Sequence, residues 1–102
     1  MFDIYLSETG HSGLFSAKTL LGTVGSLAFR YSGPHSLLVT SLEVEHSINL
    51  RPIAYELLDS LHRYAYDTDC TITFRCPKAK AINDQQIAHE LMQLSLLQSA
   101  AA

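Results

Sequence analysis

Five histidines, two cysteines and one short glycine-flanked loop are the groups in this 102-residue chain whose types and spacing could do chemistry. The loop is Gly10-His11-Ser12-Gly13. As a nucleophile elbow it is one residue short, because that turn needs Gly-x-Ser-x-Gly. A hydrolase of that kind also needs a far longer chain to bring an acid and a histidine to the serine. As an anion nest the loop fares better. Free N–H groups of Gly10, His11, Ser12 and Gly13 ahead of a helix, backed by Arg30, would hold an anion. The alternative is a plain connector.

The histidines are His11, His35, His46, His62 and His89. No pair has the His-x-x-x-His spacing that puts two imidazoles on one helix face, so no metal site is expected. Glu43 and Glu45 share one face of a strand, where acids keep an exposed sheet from pairing with other chains. Asp59 and Arg63 stand four apart on a helix and make a surface pair that needs no function. Cys70 and Cys76 are six residues apart. On one strand that is about 20 Å, far beyond the roughly 7 Å a disulfide tolerates, so both are read as buried free thiols. No catalytic set emerges, and no cofactor is implied.

These groups must be positioned by elements legible from their periodicity. Phe2–Ser7 alternates apolar and polar residues as a half-buried strand does. Leu14–Leu21 fits a short helix through Leu14, Ala17, Leu20 and Leu21, with strand as the alternative. Ser26–Ser32 and Leu37–His46 alternate again around Gly33-Pro34-His35 and predict a hairpin. In the second of these strands Leu38, Leu42 and Val44 oppose Val39, Ser41, Glu43 and Glu45. Leu50–Tyr66 is an amphipathic helix, capped by Asn49, with Pro52 in its first turn and a stripe of Leu50, Ile53, Leu57, Leu61 and Tyr64. Cys70–Cys76 predicts a strand stopped by Pro77. Lys78–Ile82 reads as a linker. Asn83 or Asp84 then caps a last helix over Gln85–Gln98, with Ile87, Leu91 and Leu94 facing the core.

The pattern predicts one α+β domain over residues 1–102. It is a two-layer sandwich with an antiparallel or mixed sheet and helices on one face. A ferredoxin-like β-α-β-β-α-β with a C-terminal helix is the simplest topology. If Leu14–Leu21 is strand, a β-meander followed by βα units replaces it. The composition, 47% hydrophobic and 17% charged, suits a globular core.

A formal charge of −3 argues against nucleic acid. The outer sheet face, expected to carry Tyr5, Arg30, Val39, Ser41, Glu43, Thr73 and Arg75 with Glu45 beside Glu43, offers one aromatic beside two acids and is a poor base platform. No stretch approaches the ~20 apolar residues of a membrane span. The start, Met1-Phe2-Asp3-Ile4-Tyr5, lacks a signal peptide's basic and apolar regions, so a cytoplasmic location is expected.

Aromatic and apolar residues left over on the helices point to partners. At 100° per residue, Tyr55, His62 and Tyr66 fall within about 40° on the back of the long helix, and tyrosine is enriched at interfaces. On the last helix Met92 and Leu96 project away from the core stripe, which predicts a homodimer. The chain is therefore expected to be a small non-enzymatic interaction or regulatory module that binds a protein and associates with itself. A small-ligand or anion-binding domain built on Gly10–Gly13 is the alternative.

Overall fold

The computed structural model describes residues 2–45 and 50–101, with side chains for 2–45 and 51–92. Four strands follow one another, β1 (Asp3–Thr9), β2 (Ser12–Thr19), β3 (Gly22–Gly33) and β4 (Ser36–Val44). Then come α1 (Leu50–Asp67), β5 (Thr71–Phe74) and α2 (Pro77–Ala101). The sheet order is β1-β2-β3-β4-β5, antiparallel throughout except for the parallel β4–β5 pair. The two helices lie on one side of the mixed sheet, so the two-layer α+β arrangement is as expected. The strands, however, form a meander followed by βα units rather than the ferredoxin-like interleaving.

That difference comes from residues 14–21, which are strand. Gly13, Phe15 and Ala17 are buried while Leu14 and Lys18 are exposed, a period of two. Pairing on both sides, Leu6↔Phe15 and Phe15↔Leu27, outweighs the helical spacing of Leu14, Ala17 and Leu21. Leu20 and Leu21 are the bare tip of a two-residue turn, where the Leu21 N–H donates to Thr19 Oγ1 at 3.1 Å.

α1 occupies the expected span. Ile53, Ala54, Leu57, Leu58, Leu61 and Ala65 press on Phe15, Ala17, Leu27, Phe29, Leu37, Val39 and Leu42 of the sheet. Asn49 lies outside the described residues, as does the side chain of Leu50. The helix ends on Asp69 in the left-handed region (φ 56°), with the Cys70 N–H donating to Ala65 O at 2.8 Å as in a Schellman cap.

α2 starts eight residues earlier than expected, since Pro77 opens it rather than merely stopping β5. Proline at the first helical position loses no hydrogen bond, and Lys and Ala beyond it are good helix formers. Asn83 is not a cap but a buried residue of this helix, beside Ala79 and Ile82. The expected core stripe of α2 is also corrected. Ile87 and Leu91 are 45% and 61% exposed, because only the first turns of α2 pack against the core. Cys70 and Cys76 are free and half-buried. No helix among the described residues is long and apolar enough to cross a membrane.

Candidate functional site

The parallel pair is short, and what happens where it stops matters most. β5 pairs with β4 only from Ser36↔Thr71 to Val39↔Phe74, and the Arg75 N–H closes the ladder on Val39 O at 2.9 Å. β4 continues to Val44 with no β5 residue beside Thr40–Val44. At the same point the ladder on its other side slips. Phe29 pairs with Val39 but Ala28 with Ser41, so Thr40 is an extra residue, and its Oγ1 donates to Ala28 O at 3.3 Å. A bulge leaves its extra residue out of the ladder and is over-represented next to active sites.

The bulge corrects the placement of Val39. Leu37 and Val39 are fully buried, and so is Leu42, three residues on, with the inward face changing phase at Thr40. Val39 therefore faces the core, not solvent. Leu37, Val39, Leu42 and Val44 share the inward side only because of this slip, since no unbroken alternation can place them on one face.

The first turn of α1 lies at the same end of the sheet, since α1 runs back antiparallel to β4. Beside it, Thr23–Ser26 of β3 and Glu43–Glu45 line an open groove. Gly25 sits under the helix, where an added Cβ would lie 2.8 Å from Ile53 Cγ2. Past the end of β5, the open cleft thus has a β4 edge unpaired among the described residues, a helix start and the two acids Glu43 and Glu45.

At the opposite end a second polar group forms. The Tyr64 hydroxyl of α1 donates to Glu8 Oε1 of β1 and also hydrogen-bonds the Tyr31 hydroxyl of β3. Phe15 and Phe29 pack against Tyr64, with ring centroids 6.1 and 5.6 Å away. Burial, then the bonds to Glu8 and Tyr31, push the Tyr64 phenol well above the usual tyrosine range. A group whose pKa is raised on folding adds stability that is complete below its unfolded value, near 10, and is lost as pH climbs past it. Chemical denaturation between pH 8 and 11 should therefore show wild-type stability falling more steeply above pH 10 than that of Tyr64→Phe. Parallel curves would show that the phenol is not held in its neutral form.

The sequence-derived partner surface is not one surface. Tyr55 is half-buried and lines a groove with Phe2, Pro52 and Glu56. His62 turns to α2, its Nε2 2.7 Å from Asn83 Oδ1. Tyr66 stands 87% exposed, and Met92 64%. The side chain of Leu96 lies outside the described residues. Gly10 and His11 form a two-residue turn between Thr9 and Ser12, and Gly13 belongs to β2. Arg30 does lie across from Ser12, but no helix follows the loop, so the nest ahead of a helix start is absent. Among the described residues no three His, Cys, Asp or Glu side chains could hold a metal ion.

No protein-family model and no curated protein matches the chain. Solved structures do. A ribosomal-protein-alanine N-acetyltransferase from Brucella melitensis biovar Abortus 2308 superposes with TM-score 0.63 at 20% identity, over 76% of this chain and 62% of that one. A GNAT family acetyltransferase from Elizabethkingia anophelis with acetyl-CoA bound gives 0.68 at 11% identity, over 84% and 74%. AAC(6')-Iy in complex with the bisubstrate analog CoA-S-monomethyl-acetylneamine gives 0.57 at 16%, over 81% and 62%. This chain thus spans less than two thirds of the first and third of these proteins. The expectation of a non-enzymatic, protein-binding module is overturned by these likenesses, as is the anion-binding alternative. These solved structures are acetyltransferases, and nothing in them supports protein binding or a homodimer as its role. The chain has the mixed α/β fold of the GNAT acetyltransferases.

Proposed function

We propose that this chain is an acetyltransferase domain that takes its acetyl group from acetyl-CoA and passes it to an amine. One observation carries this: β4 and β5 part after Val39 and Phe74, at a bulge, in a fold shared with an acetyltransferase that has acetyl-CoA bound. Ligands of α/β sheets sit outside the carboxyl ends of parallel strands, where neighbouring strands separate. The unpartnered edge of Thr40–Val44 offers N–H and C=O groups to the amides of the coenzyme A arm, as it would to an added strand. The first turn of α1, with Arg51, is placed for the coenzyme's phosphates, although Pro52 withholds one N–H from that turn. At Thr40 the broken ladder would leave backbone polarity available to a thioester carbonyl, whose oxygen would gain negative charge as the amine attacks and before the coenzyme A thiolate leaves. A cytoplasmic location belongs to the same proposal.

Acetyl-CoA at about a hundred times its Kd should stabilise the fold by about 2.7 kcal/mol. For a chain of this size that raises Tm by roughly ten degrees or more. A melting curve unmoved by millimolar acetyl-CoA would overturn acetyl transfer as the function.

A further inference from the structure

The sheet face turned away from the helices carries two arginines that no side chain among the described residues neutralises. Phe29 and Tyr31 face the core, so Arg30 between them faces outward. Arg75 follows the inward Phe74 while its N–H is still bonded to Val39 O. Both are exposed, and the ion pairs among the described residues are Arg63–Asp59 and Lys80–Asp84, which leave both out. Lys18, on the same face, is taken up over the Tyr5 ring, 5.4 Å from its centroid. The chain is acidic overall, at −3, so a basic composition does not explain the pair.

Register places the two guanidiniums within reach of one ligand. Arg30 pairs with Leu38 and Leu38 with Thr73, which makes one row across the sheet, with Arg75 two residues on. Strand spacing and rise put the two Cα atoms about 12 Å apart, so two extended side chains can converge on one anion. The bulge at Thr40 lies two residues beyond this row on β4, and Leu38, Ser41 and Thr73 lie between the two arginines. Glu43, the acid on this face of β4, pairs with Ser26, farther toward the end of the strand. Guanidinium forks match carboxylates in geometry as well as charge.

We propose that Arg30 and Arg75 form a carboxylate subsite for the acceptor, so that the amine acetylated here belongs to a molecule that also bears a carboxylate, such as an amino acid. This rests on acetyl transfer at the β4–β5 cleft. The first turn of α1, on the helical side, is assigned to the donor's phosphates, which leaves the outer face to the acceptor.

The probe is N-acetylglycine, which has the carboxylate, against N-acetylglycinamide, which lacks it, followed by the backbone amide signals of Leu38 and Thr73. The acid should shift them saturably, with or without coenzyme A, and the amide should not. Arg30→Gln and Arg75→Gln should each weaken the acid at least tenfold with an unchanged melting temperature. Equal responses to acid and amide, or none, would overturn the subsite. So would displacement of the acid by coenzyme A, because the arginines would then be holding the donor's phosphate. Stabilisation by acetyl-CoA with no response to N-acetylglycine refutes the subsite alone. Binding of N-acetylglycine without stabilisation by acetyl-CoA refutes acetyl transfer and, with it, the acceptor role.

Discussion

Phe29→Ala should cost about 3–5 kcal/mol, a large share of the about 5–15 kcal/mol of stability that a domain usually has. The ring is 1% exposed and lies among Phe15, Tyr31 and Tyr64, at centroid distances of 5.7, 6.2 and 5.6 Å. It also covers Gly13, where an added Cβ would fall 2.3 Å from Phe29 Cζ and 2.6 Å from Cε1. Three surrounding rings hold it there, so it cannot swing aside, and Gly13→Ala alone should destabilise by about 1–3 kcal/mol through overpacking. The two sites are one contact and should not add. In the Phe29→Ala background the Gly13→Ala methyl meets empty space, and the cycle should return a coupling of about 1 kcal/mol or more. Additive losses in urea unfolding would mean that the ring does not rest on Gly13.

Much of this core could be read from the sequence. The alternation of Leu27, Phe29 and Tyr31 and the stripe of Ile53, Leu57 and Leu61 gave the hairpin and the long helix at nearly the right bounds. In both, one local period runs unbroken and burial follows it. Where two periods compete, reading fails. Leu14, Ala17 and Leu21 keep helical spacing, while Gly13, Phe15 and Ala17 keep strand spacing, and only pairing with β1 and β3 decides. The site was harder still. A bulge is a single-residue slip, and Thr40 looks like any polar residue of an exposed face. The parallel β4–β5 pair, the parting beyond Val39, and the meeting of Glu8, Tyr31 and Tyr64 all depend on long-range register. The likeness to acetyltransferases was missed for that reason: among the described residues the cleft is made of backbone and bears no catalytic side-chain motif.

Gly25→Val should bring the other large loss, and one felt at the proposed donor cleft. Here α1 makes a close approach to the sheet. A Cβ at Gly25 would stand 2.8 Å from Ile53 Cγ2, 3.3 Å from the Glu43 carbonyl and 3.5 Å from Leu57 Cδ1. Ile53 is 3% exposed and Leu57 fully buried, and the carbonyl belongs to β4, so little around the new side chain can yield. Valine adds two methyl groups beyond that Cβ. Relief requires the first turns of α1 to lift away from β3 and β4, at a cost of about 3 kcal/mol, the upper end for overpacking. Those turns border the parted end of β4. The variant should therefore lose acetyl-CoA stabilisation beyond what its lower starting Tm explains. Ile53→Ala in the same chain removes the atom nearest the clash and should restore part of both. If Gly25→Val melts like the parent, α1 does not rest on Gly25. If it melts lower but binds acetyl-CoA with the parent's affinity, the donor does not lie against the first turns of α1.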